Sequence, residues 1–280
     1  MHRKDAKISV FDSGFLLGDG VWEGIRLLNR QLVFLEEHLD RLYDGAKQLE
    51  IEIGFSKKEL TDLIFKTLDS NNMYTDVHIR LIVSRGLKKT PYQHPNANVG
   101  PSTLVIIPEY KKADKQVNKF GISLKLVSTR RGNADIQDPR LNTLSKLNCI
   151  IACIEAKNSG VDEGIMLDLN DNVSTCNSTN FFIVVKDEVW TSKGDYCLPG
   201  ITRNTIIHLC RENNIKIYEK DFTIEDVENA DEAFVTGTFA GVIPAVEIND
   251  KKITSGERGH LTYVLQKLYK DKMNFLYPDK

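Results

Sequence analysis

Three stretches of the chain carry residue types and spacings from which chemistry can be built. In Leu198-Pro199-Gly200-Ile201-Thr202-Arg203 a glycine precedes a helical pattern, so the Ile201 and Thr202 amides can face outward. Amides presented at a helix N-terminus suit a phosphate. Gly237-Thr238 closes an apolar run and adds a further amide and hydroxyl. Each is weak alone, because many helices open on Gly-x-Thr for capping only. Arg80 and Arg85 share one strand end; arginine there is often structural, yet it can clamp a carboxylate bidentately. Arg41 follows His38 by three positions on a helical pattern and reads, by itself, as a solvated surface arginine.

The third stretch is Asp138-Pro139-Arg140-Leu141-Asn142-Thr143-Leu144-Ser145-Lys146-Leu147-Asn148. An Asp-Pro turn leads into Leu144, Leu147, Ile151 and Ile154 at helical spacing, which predicts a helix with one stripe against a core. Asn142, Lys146, Cys149 and Cys153 follow at steps of four, three and four and would share the other face. If the chain performs amine chemistry, its nucleophile should stand there. Cys149, Cys153, Cys176, Cys197 and Cys210 are an odd set without a C-x-x-C pair, as expected of free thiols in a reducing cytoplasm. Cys149 and Cys153 lack a nearby His to complete a metal shell and read as small buried residues, so no metal site is expected. There is no Walker loop, GxGxxG, HExxH or G-x-S-x-G.

The elements that must position these residues are legible from the pattern. The chain has 280 residues, 41% hydrophobic and 27% charged, ordinary for globular structure with an ample core. A net charge of −2 argues against a nucleic-acid partner. No apolar run reaches membrane length and Met1 to Asp5 lacks the apolar stretch of a secretory signal, so a cytoplasmic location without a membrane partner is expected. Strands are read at Lys7–Asp12, Val21–Leu28, Val77–Ser84, Thr103–Pro108, Ile122–Ser128, Gly164–Leu169, Thr179–Lys186 and Glu232–Thr236. Helices are read at 36–49, after Ser56, at 201–212 and at 259–274. The polar run from Tyr110 to Gln116 is the best boundary. It predicts an α/β domain over 1–111, a linker over 112–121 and a larger α/β domain over 122–280.

Taken in order, the pieces resemble one family. Asp12-x-Gly14-x3-Gly18-Asp19-Gly20, Trp22-Glu23-Gly24-Ile25-Arg26, His38-Leu39-Asp40-Arg41-Leu42, Arg80-x4-Arg85-Gly86, Asp138-Pro139-Arg140, Asn180-Phe181-Phe182, Leu198 to Arg203 and Gly237-Thr238 look like the class IV pyridoxal-phosphate aminotransferases. Within it the branched-chain amino acid aminotransferases look closest. The resemblance implies a mixed α/β (α+β), two-domain, fold type IV architecture, similar to D-amino-acid aminotransferase. It implies a homodimer with pyridoxal phosphate between the domains, acting on a small amino acid or 2-oxo acid. Arg41, the Ile201 and Thr202 amides, Gly237 and Thr238 would hold the cofactor phosphate, with Asn180 alongside. Trp22 would wall the substrate pocket, and Arg80 or Arg85 would take the substrate carboxylate.

The match breaks at two positions. The family's lysine follows the Pro-Arg pair as Pro-Arg-(Ile/Leu)-Lys, and in that register this chain has Asn142. Spacing holds on both sides, so no gap is called for. An amide cannot form a Schiff base. The family's Glu at the pyridine nitrogen, five positions before Asn180, is Thr175. A hydroxyl there weakens the ring as an electron sink. Lys146, one helical turn past Asn142, is the candidate substitute nucleophile. Three functions stay open: transamination through Lys146, a lyase of different reaction type, or a non-catalytic protein that binds a phosphorylated ligand.

Overall fold

The computed structural model describes residues 3–279. The chain folds as two compact units, Met1–Lys111 with Leu141–Lys146, and Lys112–Arg140 with Leu147–Lys280. The segment that carries Asn142 therefore belongs to the N-terminal unit.

In that unit a one-turn helix α1 (Ser13–Leu17) precedes strand β1 (Gly20–Leu28), β2 (Gln31–Val33), helix α2 (Leu35–Gln48) and helix α3 (Lys57–Ser70). Strands β3 (Val77–Ser84), β4 (Leu87–Lys88), β5 (Asn98–Val99) and β6 (Thr103–Tyr110) follow. The sheet is antiparallel in the order β2-β1-β3-β6, and β4 and β5 form a separate small hairpin. Val21, Ile25 and Leu27 of β1 alternate onto one face with Val77, Ile79, Leu81 and Val83 of β3. They pack against Leu39 and Leu42 of α2 and Leu60, Ile64 and Leu68 of α3, which is the period-2 and period-3.6 patterning working together. Ser56 caps α3 in a capping box with Glu59. The Lys7–Asp12 stretch forms no strand; only Asp12 makes a bridge, to Leu87.

The larger unit begins with helix α4 (Lys115–Phe120), capped by Asp114, inside the stretch read as linker. It continues with β7 (Ile122–Leu126), α5 (Ala134–Gln137), α6 (Leu147–Asn158), β8 (Glu163–Leu167), β9 (Val173–Cys176), β10 (Asn180–Val185) and β11 (Glu188–Thr191). Then come α7 (Ile201–Glu212), β12 (Ile217–Glu219), α8 (Ile224–Glu228), β13 (Glu232–Gly237), β14 (Gly241–Ile248), β15 (Lys251–Lys252) and α9 (His260–Leu276). One sheet runs β12-β11-β10-β13-β14-β7-β8-β9, with β15 on β14. Strand β14 lies outside the strands read from the sequence, and Pro244 sits within it. It is tolerated where the pairing changes hands: β14 pairs with β13 up to Pro244 and with β7 from Ala245, so the missing N–H falls at the handover.

Helix α6 corrects the sequence reading twice. It starts at Leu147, so Asn142 and Lys146 precede it and share no helical face with Cys149 and Cys153. Its large apolar residues point outward: Leu147, Ile151 and Ile154 are exposed, and the buried positions are Ala152 and Ala156. Small residues let the helix lie close, with Ala152 against Val127 and Met166. Cys153 is likewise exposed and Cys149 half-buried. Among the described residues no helix is long and apolar enough to cross a membrane.

Candidate functional site

In the N-terminal unit the site is built on the first residues of β1, Gly20 to Trp22. Strand β2 covers only Arg26–Leu28, leaving the outer edge of Gly20–Trp22 open. The Asn142–Leu144 segment fills that edge: Leu144 N donates to Gly20 O at 2.9 Å, Trp22 N to Asn142 O at 3.0 Å, and Val21 bridges Thr143. Gly20 is what lets it approach. A Cβ there would stand 2.6 Å from Val83 O and 2.7 Å from Leu144 Cδ1. Side chains then lock the register. Asn142 Nδ2 donates to Trp22 O at 2.7 Å, and Trp22 Nε1 donates to Thr143 O at 3.1 Å.

Two cations stand over the Trp22 ring, the Arg80 guanidinium at 4.0 Å and Lys146 Nζ at 5.5 Å from its centre. Arg80 forms no hydrogen bond or ion pair among the described residues. Arg85 differs: its Nε and Nη2 clamp Asp19 at 2.7 and 3.1 Å, and its other donors reach Glu50 O and Leu49 O. That guanidinium is consumed in holding the loop.

On the opposite face of β1, Glu23 is fully buried. It accepts from Arg41 Nε at 2.8 Å and Arg41 Nη2 at 2.7 Å, and its Oε2 lies 2.7 Å from His38 Nδ1. Burial pushes the Glu23 carboxyl up, but the Arg41 and His38 hydrogen bonds and charges outweigh it and hold it below its ordinary value. The spacing of Arg41 and His38 on α2 puts both over Glu23. Glu23 and His38 had entered the sequence reading as motif letters without a role; a buried acid facing an i, i+3 His-Arg pair was the available signal.

In the larger unit the anion cradle is assembled by Asn180 at the start of β10. Its Nδ2 donates to Leu198 O at 3.0 Å, pinning the loop before α7. Gly200 is the N-cap of α7, with no side chain on the helix's first amides, so the Ile201 and Thr202 N–H groups remain available to an anion. A Cβ on Gly200 would lie 2.0 Å from Asn180 Oδ1; glycine is required because Asn180 passes so close. Asn180 pairs with Thr236 across β10 and β13, and Gly237 follows, with Thr179 Cγ2 only 3.6 Å from where its Cβ would be. Thr236, which the sequence reading passed over, has a buried hydroxyl without a partner among the described residues. Asn180, Ile201, Thr202 and Gly237-Thr238 are thus brought to one end of this sheet.

Thr175, on β9, is 6% exposed and donates its hydroxyl to Thr179 O at 2.8 Å. Its proton is committed, so on its other side it can only accept. Nearby, Glu163 accepts from Thr179 Oγ1 and Ser178 Oγ, each at 2.8 Å, and burial pushes its carboxyl up despite those bonds. Among the described residues no three His, Cys, Asp or Glu gather as a metal site.

The model of the amino-transferase class IV family matches residues 20–248. A branched-chain-amino-acid aminotransferase-like protein 2 of Arabidopsis thaliana is 41% identical over 268 residues, 96% of this chain and 48% of that protein. This chain therefore spans about half the length of that relative. A putative branched-chain-amino-acid aminotransferase of Methanocaldococcus jannaschii is 38% identical over 270 residues, covering 96% of this chain and 92% of its own. Among solved structures, the branched-chain aminotransferase of the thermophilic archaeon Thermoproteus uzoniensis, solved with norvaline, superposes with a TM-score of 0.87 at 28% identity, covering 100% and 93% of the two chains. A further branched-chain amino acid aminotransferase, solved with pyridoxamine 5'-phosphate, superposes with a TM-score of 0.92 at 26% identity over the same shares, 100% and 93%.

Proposed function

The chain belongs to the class IV aminotransferases, of fold type IV, and from that premise we propose that it holds pyridoxal-type phosphate without the family's covalent bond. Its other ligand is a branched-chain or related amino acid or 2-oxo acid, and its catalysis is altered accordingly. The observation that carries this reading is the Asn142 amide fixed on Trp22 O, at the position the resemblance gives to the family's lysine. The residues present fit a phosphate: uncapped α7 amides at Ile201 and Thr202, the orphaned Thr236 hydroxyl, and Thr238. Arg41, oriented by Glu23, is the cation that the family resemblance assigns to the cofactor phosphate. They do not fit covalent capture, because an amide nitrogen is no nucleophile.

When bound, such a cofactor supplies an electron sink for bonds at a substrate's α-carbon. This chain's own residues do the rest. Arg80, stacked on Trp22, would receive the substrate carboxylate, and Trp22 would wall off the pocket. Thr175 offers only an acceptor, so it favours a protonated ring nitrogen far less than a carboxylate would. Asn142 neither accepts nor delivers a proton at neutral pH. On this reading the chain keeps the binding groups and lacks the proton carrier of lysine-dependent transamination. A homodimer is part of the proposal, on family resemblance.

Lys146 carries the second reading. Its nitrogen stands over the same Trp22 that Asn142 brackets, so it would serve as a displaced nucleophile for ordinary transamination. The two readings separate in one experiment: add pyridoxal phosphate, record the absorbance spectrum, reduce with borohydride and map labelled peptides. Retained cofactor without a label at Lys146 supports the first reading. Label on Lys146 with transamination of branched-chain amino acids, lost in Lys146→Ala, supports the second. Failure to retain any phosphorylated pyridine would end both.

A further inference from the structure

Asn142 satisfies only one end of its side chain. Its Nδ2 donates to Trp22 O at 2.7 Å, which fixes the way the amide faces: flipped, it would set oxygen against oxygen at that distance. Oδ1 therefore points away from Trp22. It is buried, it has no donor among the described residues, and the residue is only 6% exposed. A buried acceptor without a donor carries a desolvation cost. A donor from outside the chain would remove that cost.

We propose that Asn142 makes this site select a phosphorylated pyridine bearing an amine on its 4-methylene carbon over the corresponding aldehyde. The inference rests on the cofactor reading above, in which the resemblance sets position 142 at the family's lysine, the group that meets that carbon. An amine N–H donates to Oδ1 and removes the orphan. An aldehyde oxygen meets Oδ1 lone pair to lone pair, and a methyl group leaves it unpaired. The neutral amine suffices as donor, which spares an added charge beside the Arg80 and Lys146 cations over Trp22. The substitution that abolishes covalent capture of the aldehyde thereby creates a preference for the other member of the transamination pair.

The test is calorimetric titration of the full chain with three ligands: pyridoxamine 5'-phosphate, pyridoxal 5'-phosphate and 4-deoxypyridoxine 5'-phosphate. The last carries a methyl group and cannot condense with lysines. The amine should bind at least about tenfold tighter than either of the others, the worth of one hydrogen bond to an otherwise unpaired buried acceptor. In Asn142→Leu, similar in size and without an acceptor, the amine and methyl ligands should converge, with inorganic phosphate affinity reporting that the cradle is intact. Should that variant fail to fold, the wild-type series decides alone. Equal wild-type affinity for amine and methyl ligands overturns the proposal and leaves the cofactor reading standing. Absence of binding by all three overturns both.

Discussion

Trp22 and Asn142 hold each other through both backbone and side chain: Trp22 N donates to Asn142 O at 3.0 Å, and Asn142 Nδ2 donates to Trp22 O at 2.7 Å. The residue that the family resemblance sets at the lysine position is thus a strut of the sheet edge. Asn142→Lys exchanges that strut for an amine. It should cost about 1 kcal/mol through the lost donor to Trp22 O. With pyridoxal phosphate, borohydride reduction should label position 142, as read by peptide mass spectrometry. A folded variant that retains the cofactor but is unlabelled at 142 would show that the lysine register is wrong.

Glu23 is the anchor of Arg41, and its titration has a definite sign. Its folded pKa lies below the ordinary 4.5, so the stability it contributes is fully present above 4.5 and is lost as pH falls through the lowered value. Glu23→Gln removes the charge that pairs Arg41 and His38. At neutral pH the variant should be less stable by about 3 kcal/mol, the cost of breaking a buried pair, and should bind inorganic phosphate more weakly. Because a protonated Glu23 resembles Gln, the gap between the two proteins should narrow as pH drops below 4.5. Chemical denaturation across pH checks this; a gap independent of pH would exclude the ion pair as its source.

Gly200 separates steric need from conformational need. Its φ of −65° and ψ of 132° are open to any residue, so the need for glycine is steric, above all the close pass of Asn180 Oδ1, with Arg203 Cβ next at 3.3 Å. Gly200→Ala should cost about 1–3 kcal/mol by overpacking and weaken phosphate binding at least severalfold, as Asn180 or the α7 start gives way. Gly200→Ala combined with Asn180→Ala should recover much of the stability, since the clash is gone. Thermal denaturation of the single and double variants decides it, and additive losses would rule the clash out.

The fold was legible wherever period and caps agreed. Ser56 with Glu59 announced α3, and Val77–Ser84 alternated as a buried strand should. The site was legible in residue identity and opaque in placement. Helical spacing put Asn142 and Lys146 on a common face of one helix, whereas the open edge of β1 captures residues 142–144 as an extended segment. Pairing with a strand some 120 positions away in sequence leaves no local mark. The exposed stripe of α6 failed for a different reason, because the helix buries its small residues Ala152 and Ala156 instead. An orphaned acceptor such as Asn142 Oδ1 exists only in three dimensions.

Arg80 and Arg85 look equivalent in sequence and should behave oppositely in the test tube. Arg85 joins Asp19 to the carbonyls of Leu49 and Glu50, so Arg85→Ala strands a half-buried carboxylate and should destabilise the unit by about 2–3 kcal/mol. Arg80 stacks on the Trp22 ring and has no hydrogen bond or ion pair among the described residues, and Arg80→Ala should lower stability by at most about 1 kcal/mol. Its effect should appear in ligand binding. Affinity for a branched-chain 2-oxo acid should fall roughly tenfold to a hundredfold, as when a charged hydrogen-bond donor is removed, while affinity for the matching uncharged amide stays unchanged. Calorimetry on both variants gives the answer. If Arg80→Ala binds the acid as the wild type does, the carboxylate lies elsewhere, and the guanidinium over Trp22 is packing alone.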